Sequence, residues 1–395
     1  MTIQTTDINQ LLTKYRRKDY YQYNRQHRLY PYIGTQMNNI VQRDTSLSNE
    51  GNLVRVAFTD DLDEFNIGTG TLEGNESVFD QHHQDCRPIW HRKAVKIKKS
   101  EKKKAFTDHY RIQRRVLRTW ASNNMRTQFY SALDAIAHNG RLFQEIGTPA
   151  VGATPAVSAH NYQVSYAEAL PAERDAYVAN NEDRLLFGSA TGNLVAGDMA
   201  ASLANIDAVN DRMSWDTLRL IKRLAQVDQW ATQGRCAIRP VSGKDEKGRE
   251  MFVCFMPSAV FRDFATDPKT EAFNTDARMR GVEDHPIFQG GDLMADGIIV
   301  KEIFEADIAA YAGAGNGGVD VAPYFFCGAQ ALLNPVGQRL KMTSSDNTDY
   351  QFLKGVGTEE QYAVEKAFFR GPSADGVTGS KQHGMITGYA SATQD

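Results

Sequence analysis

AFTDHYRIQRRVLRTWASNNMRTQFYSALDAIAHNG, residues 105–140, is the most regular stretch of the chain and contains neither proline nor an internal glycine. Its spacing predicts one long helix over 107–138. Thr107 is placed to cap the amino end, Asp108 falls in the first turn, where the helix dipole favours a carboxylate, and Gly140 can supply a left-handed stop after His138. Phe106, Tyr110, Val116, Leu117 and Trp120 share one face, whereas Met125, Phe129, Leu133 and Ile136 lie on a face rotated away from it. The helix therefore meets different partners along its length or bends near residues 122–124. At 1.5 Å per residue, some thirty residues span roughly 45 Å, longer than a small domain is wide, which suits a strut. A long helix within an ordinary helical domain is the plainer reading of the same periodicity.

The chain has 395 residues, more than one core usually organises, so two or more subdomains are expected. Its 41% hydrophobic and 24% charged residues describe a soluble globular protein. No apolar run is long enough to cross a membrane, and the start MTIQTTDINQ lacks the features of a signal peptide, so a cytosolic protein is expected. Cys86, Cys236, Cys254 and Cys327 are scattered without a CxxC pair, which points to buried free thiols. The net charge of -3 conceals an asymmetry: residues 1–126 hold 22 Lys and Arg against 14 Asp and Glu, giving +8, and the remainder carries -11. The basic third could face phosphate or the acidic part of a neighbouring copy.

Upstream of the helix, KYRRKDYYQYNRQHRLYPY interleaves Lys14, Arg16, Arg17, Lys18, Arg25 and Arg28 with six tyrosines. Such a segment can stack on bases and neutralise phosphate, or wrap a partner protein. NLVRVAFTDDLDEF then alternates briefly and ends in an acidic turn. Residues 65–104 read as an extended hairpin arm whose return strand is studded with Arg87, Arg92, Lys93, Lys96, Lys98, Lys99, Lys102, Lys103 and Lys104. Too few apolar residues remain to bury this arm on its own chain, so it is expected to rest on another subunit; a solvated, charge-protected edge hairpin is the alternative. Within it His82, His83, Asp85, Cys86 and His91 form the one cluster of metal-ligand types. Adjacent residues of a strand point to opposite faces, however, and no second ligand pair stands at short spacing, so no metal is assigned.

Downstream, residues 141–210 read as loops with short helices. MSWDTLRLIKRLAQVDQWATQG is a helix capped by Ser214 and stopped by Gly234. RCAIRPV and REMFVCFM are strands around SGKDEKG, and PSAVFRDFATDP opens a helix at Pro257. A strand is expected at 298–303. Gly313, Gly315 and Gly318 satisfy GxGxxG, but VDVAPYFF follows where a dinucleotide site needs a helix, so the segment reads as a flexible loop tip. CGAQALLN reads as a short helix, and strand patterns close the chain. There is no GxSxG, HExxH or Walker sequence, and the nine histidines do not group with a nucleophile and carboxylate. Neither a catalytic residue nor a cofactor is expected.

From about residue 52 onward the order of LEGNESVFD, the long helix, FVCFMPSAVFRDFATD, HPIFQG with GIIVKEI, FFCGAQALL and DYQFLKGVGTEEQYAVEKAFF resembles the major capsid proteins of tailed bacteriophages, the short-tailed branch in particular. The resemblance implies an α+β phage capsid fold. Residues 1–50 would be an amino-terminal arm, 51–104 an extended loop, 105–210 with 341–395 a peripheral domain on the spine helix 107–138, and 211–340 an axial domain, with 306–322 near a symmetry axis. It implies a subunit that self-assembles into pentamers and hexamers of an icosahedral shell around double-stranded DNA, assembled in the host bacterial cytoplasm and found in the virion. Portal, scaffolding and decoration proteins would be partners and no membrane would be. The basic residues of the arm would face the interior or DNA, and those of the loop would contact neighbouring subunits. Some relatives crosslink a loop lysine to an asparagine, for which Lys96, Lys98 and Lys99 are placed, but no motif identifies the asparagine.

Alternatives stay open at this point: an encapsulin-like compartment of the same fold, a metal-dependent hydrolase using His82, His83 and Cys86, or a nucleic-acid-binding protein using residues 14–28.

Overall fold

The computed structural model describes residues 28–46, 54–59, 81–98, 109–137, 163–227, 237–242, 250–272, 293–304, 309–348, 352–368 and 381–392. The chain forms two compact units. The smaller comprises residues 1–27, 91–125 and 340–360, and the larger residues 28–90, 126–339 and 361–395.

Helices and strands alternate in a mixed α+β order. β1 (Ile33–Gly34), β2 (Val41–Asp44), β3 (Val54–Thr59), β4 (Gln81–Cys86) and β5 (Ile89–Lys98) precede helix α1 (His109–Leu133). Then come β6 (Ala135–Ala137), β7 (Gln163–Ser165), α2 (Pro171–Asn180), β8 (Leu185–Phe187), α3 (Met199–Ala204) and α4 (Trp215–Gln226). β9 (Val241–Ser242), β10 (Glu250–Pro257), α5 (Ser258–Thr266), β11 (Leu293–Ala295), β12 (Ile298–Ile303) and β13 (Val321–Cys327) follow. β14 (Leu332–Thr348), β15 (Leu353–Tyr362), β16 (Glu365–Lys366) and β17 (Met385–Ser391) complete the order.

Helix α1 is where the sequence placed it but shorter at its far end. It stops at Leu133, and Ala135–Ala137 pairs as a strand with Gln163–Ser165. The expected run to His138 is thus corrected: Asp134 accepts a 2.7 Å hydrogen bond from the Tyr311 hydroxyl, and Ile136 is buried opposite Val164. That tertiary anchor outweighs continued helical propensity. Thr107, Asp108 and Gly140 lie outside the described residues. The change of apolar face along the helix is real, since residues up to 125 belong to the smaller unit and those from 126 to the larger. Leu117 and Ala121 are buried in the first part, and Phe129, Ala132 and Leu133 in the second. Val116, expected on the buried face, is 50% exposed.

The larger unit is built on a seven-stranded sheet in the order β11-β12-β10-β13-β17-β8, with β9 beside β10. β10 pairs in parallel with β12 and antiparallel with β13, which pairs antiparallel with β17 along its whole length. Every residue of β13 and β17 is buried, as near-continuous apolar runs such as VAPYFFC require. One core packs Trp215, Leu218 and Ile221 of α4 and Val260 and Phe264 of α5 against Phe252, Cys254, Met256, Tyr324 and Phe326. A second gathers Tyr166, Tyr177, Val178, Phe187, Leu203, Tyr311, Val321 and Tyr389. The sheet thereby joins β8 and β17, expected in the peripheral domain, to strands of the expected axial domain.

Several local signals read from the sequence are present in detail. The Ser214 hydroxyl accepts from the Thr217 amide at 3.3 Å, and α5 begins directly after Pro257. α4 ends at Gln226 because Val227 turns extended, well short of the expected stop at Gly234, which lies outside the described residues. β11 and β12 are joined by Asp296 and Gly297, both left-handed with φ of 52° and 75°, the geometry of a tight hairpin. CGAQALLN is a turn and the start of β14, correcting the expected helix. Gln330 has φ 58°, and Leu332 to Pro335 pair in parallel with Val41 to Asp44.

The glycine-rich segment runs straight into β13 and opens no helix at its third glycine, so it is no dinucleotide fingerprint. Nor is it a loose tip. The Gly313 amide donates to Asp320 Oδ1 at 2.8 Å, and the Asn316 amide donates to the Ile206 carbonyl at 2.8 Å.

Candidate assembly surfaces

In the smaller unit, β5, β15 and the far part of β14 lie side by side in the order β14-β15-β5. Their pleat sorts the side chains. A β-carbon at Gly355 would contact Lys96 and Ser345, and one at Gly357 would contact Ala94 and Thr343, so these residues share one face. Arg92, Ala94, Lys96, Lys341, Thr343 and Ser345 are all exposed there. Val356, Thr358 and Glu360 alternate to the other face, where they are buried. On the β5 side of that other face, His91 is buried and meets Asn124 of α1 at 3.4 Å, while Lys93 places its ammonium 5.8 Å from the centre of the Trp120 ring. The Thr358 hydroxyl donates to the Lys93 carbonyl at 3.4 Å.

Of the residues proposed for inter-subunit contact, Arg87, Arg92, Lys93 and Lys96 are exposed on β5 or just before it. None of the four side chains pairs with a carboxylate among the described residues. Lys341 by contrast has Glu359 at 3.9 Å. The Lys98 side chain and Lys99, Lys102, Lys103 and Lys104 lie outside the described residues. So do Lys14, Arg16, Arg17, Lys18 and Arg25 of the arm; Arg28 is half-buried.

The hairpin arm is less isolated than its composition suggests. β3 and β4 pair antiparallel from Val54 with Cys86 to Thr59 with Gln81, and Phe58 and Cys86 are buried against Leu333 and Ala367 of their own chain. β5 joins a larger sheet instead of standing as half of a two-stranded arm. The expectation that this strand cannot be covered within its own chain is thus corrected: its non-local partner is β15, more than 250 positions away.

Among the described residues the metal candidates do not converge. Asp85 is held by Arg55 through a bidentate pair at 2.7 and 2.9 Å, which lowers the carboxyl below its usual range. Cys86 is fully buried, and desolvation together with Glu365 pushes its thiol well up, leaving a protonated sulfur that is a poor ligand. His91 is committed towards α1, and the His82 side chain lies outside the described residues. No group of three or more candidate ligands gathers among the described residues.

A buried polar layer, which no motif announced, ties distant segments together. Gln163 bridges both backbone groups of Lys366 at 2.8 Å, and Gln84 bonds the Lys366 carbonyl and the Phe368 amide, each at 2.9 Å. The Gln382 amide nitrogen donates to the Tyr177 hydroxyl, and its backbone amide donates to Asn181 Oδ1 at 2.6 Å. Lys366 is fully buried, with its ammonium 3.4 Å from the Tyr177 hydroxyl, and burial pushes its pKa down. Burial raises Glu365 to about 7, and Glu360 in the smaller unit also to about 7. Such a network of buried hydrogen bonds specifies how these segments pack. Glutamines scattered over 300 positions leave no periodic signal, which is why the sequence did not reveal it.

Among the described residues no helix is long and apolar enough to cross a membrane. No curated protein matches the sequence. Among solved structures, the chain is similar to the capsid asymmetric unit of cyanophage Pam1, with 26% identity over 100% of both chains and a TM-score of 0.80. It shares its fold with the capsid of Ralstonia phage GP4, at 18% identity over 100% of this chain and 99% of that one and a TM-score of 0.68. The acid-stable capsid of Helicobacter pylori bacteriophage KHP30 has the same fold at 13% identity, 99% of each chain and a TM-score of 0.66. The family described as phage capsid protein matches residues 2–393. With that family spanning nearly every residue, the chain belongs to the phage capsid proteins.

Proposed function

We propose that the chain is the major subunit of an icosahedral phage shell, closing as pentamers and hexamers through interfaces spread over its surface. The family match over residues 2–393 carries this reading. The exposed cations of β5 supply the contact chemistry, because a row of cations with no carboxylate partner among the described residues is stabilised when a neighbour provides acid. Within this reading residues 1–50 act as an arm, 51–104 as the extended loop, 105–210 with 341–395 as the peripheral domain and 211–340 as the axial domain. The arm faces the packaged DNA, which it contacts without sequence preference, and the portal and a separate scaffolding or decoration protein complete the particle. The role is structural and not catalytic, with assembly in the host cytoplasm.

The test replaces Arg92 and Lys96 with Gln and compares particle yield by sedimentation and negative-stain microscopy in the same salt. Yield should fall while the far-UV spectrum and thermal transition of the unassembled subunit stay unchanged. Normal assembly by that variant would remove the assigned role of β5.

A further inference from the structure

We infer that the acidic run DDLDE, residues 60–64 of a second copy, docks along β5 by lying on its outer edge and over its exposed face. The inference rests on the reading of β5 as an inter-subunit strand and names the partner.

Three observations carry it. First, β5 ends the strand order of its sheet, so one edge of a ten-residue strand has no strand partner among the described residues. Such an edge invites pairing, and lysine or arginine on it repels most candidates while admitting an acidic one. Second, the cations stand on both sides of the strand. Arg92 and Lys96 point to the exposed face, Lys93 points to the other, and none has a carboxylate partner among the described residues. Third, DDLDE is the densest acidic run of the chain, with Asp60, Asp61, Asp63 and Glu64 in five positions. In an extended segment these residues alternate to both faces, matching the cations of β5 in a cross-strand pairing.

The run is assigned to another copy because β5 is read as a strand that meets a neighbouring subunit, and the run's four acids complement the cations of β5.

The experiment is a charge exchange in particles recovered from cells expressing the full chain. Arg92→Glu with Lys96→Glu should lower particle yield by about tenfold, and Asp61→Lys with Asp63→Lys should do the same. The four changes together should restore most of the yield. If the basic variant fails to assemble while the acidic variant assembles normally, the partner is a different surface and the inference is overturned, although the reading of β5 stands. If both fail and the combination does not recover, the pairing is likewise overturned. If the basic variant assembles normally, the inference and the reading of β5 fall together. A second measurement does not depend on variant folding: carbodiimide coupling of wild-type particles assembled from mixed isotopically light and heavy subunits. Mixed-label peptides joining residues 60–64 to Lys93, Lys96 or Lys98 support the docking, and their absence among otherwise abundant inter-subunit links overturns it.

Discussion

The hydroxyl end of the Tyr324 ring lies against Gly388, its partner on the neighbouring strand, so closely that a β-carbon at 388 would overlap the ring. Both residues sit at the centre of the larger unit's sheet, and the tyrosine is completely buried in the core formed with α4 and α5. A glycine in a strand interior is unfavourable by itself, and here it makes room for a neighbour's side chain.

Gly388→Ala should therefore destabilise the subunit by about 1–3 kcal/mol through overpacking, seen as a lower denaturant midpoint. Gly192→Ala is the control: nothing lies within 4 Å of its added carbon, so its midpoint should stay within about 0.5 kcal/mol of the parent.

Gln163→Ala should cost about 1–3 kcal/mol, because it removes the 2.8 Å bond to the amide of buried Lys366, while the carbonyl keeps its bond from Gln84. Lys366→Met should cost less, since it removes a desolvated ammonium while keeping the length of the side chain. Chemical denaturation of both variants at pH 7 ranks them, and a larger loss for Lys366→Met would show the ammonium to be a net stabiliser.

Glu360 and Glu365 are both raised to about 7 by burial, so the folded state holds their protons more tightly than the unfolded chain. Their contribution is fully present below pH 4.5 and is lost as pH rises through 7. His383, lowered to about 4 by burial and the nearby Arg184, gives the opposite slope between about 4 and 6.5. Glu360→Gln and Glu365→Gln should each flatten the decline between pH 4.5 and 7 by about 1–3 kcal/mol, read as the difference from the parent in midpoint against pH. Unchanged slopes would mean that both carboxyls titrate normally.

Purified subunit should carry no stoichiometric zinc, and His83→Ala should leave its thermal midpoint unchanged with or without a chelator. Asp85 is occupied by Arg55, and the Cys86 thiol is held protonated in an apolar cluster. Bound metal lost on this substitution would reopen the hydrolase reading.

The two kinds of surface differ in how far the sequence reached them. The basic row of β5 was legible because charge shows in composition alone. Its place at the edge of a sheet was not, since its partner β15 arrives from more than 250 positions downstream. The same contrast separates the correct helices from the corrected ones. Ser214 and Pro257 start α4 and α5 through bonds or geometry within a few residues, and Asp296-Gly297 turns the chain by its own preference. CGAQALLN is apolar enough for a helix or a strand, and the parallel pairing with Val41 to Asp44 decided for the strand.

What the sequence by itself determined were caps, turns, the long helix, the charge of the loop and the colinear order that resembles a capsid subunit. The caps and turns rest on preferences expressed within about ten residues, and the others on pattern and composition read along the chain. Only the tertiary structure decided where α1 stops, which face of β5 is open and how Gln163, 203 positions from Lys366, comes to satisfy it. A buried polar group or an edge strand is defined by what packs against it, and that partner is distant along the chain.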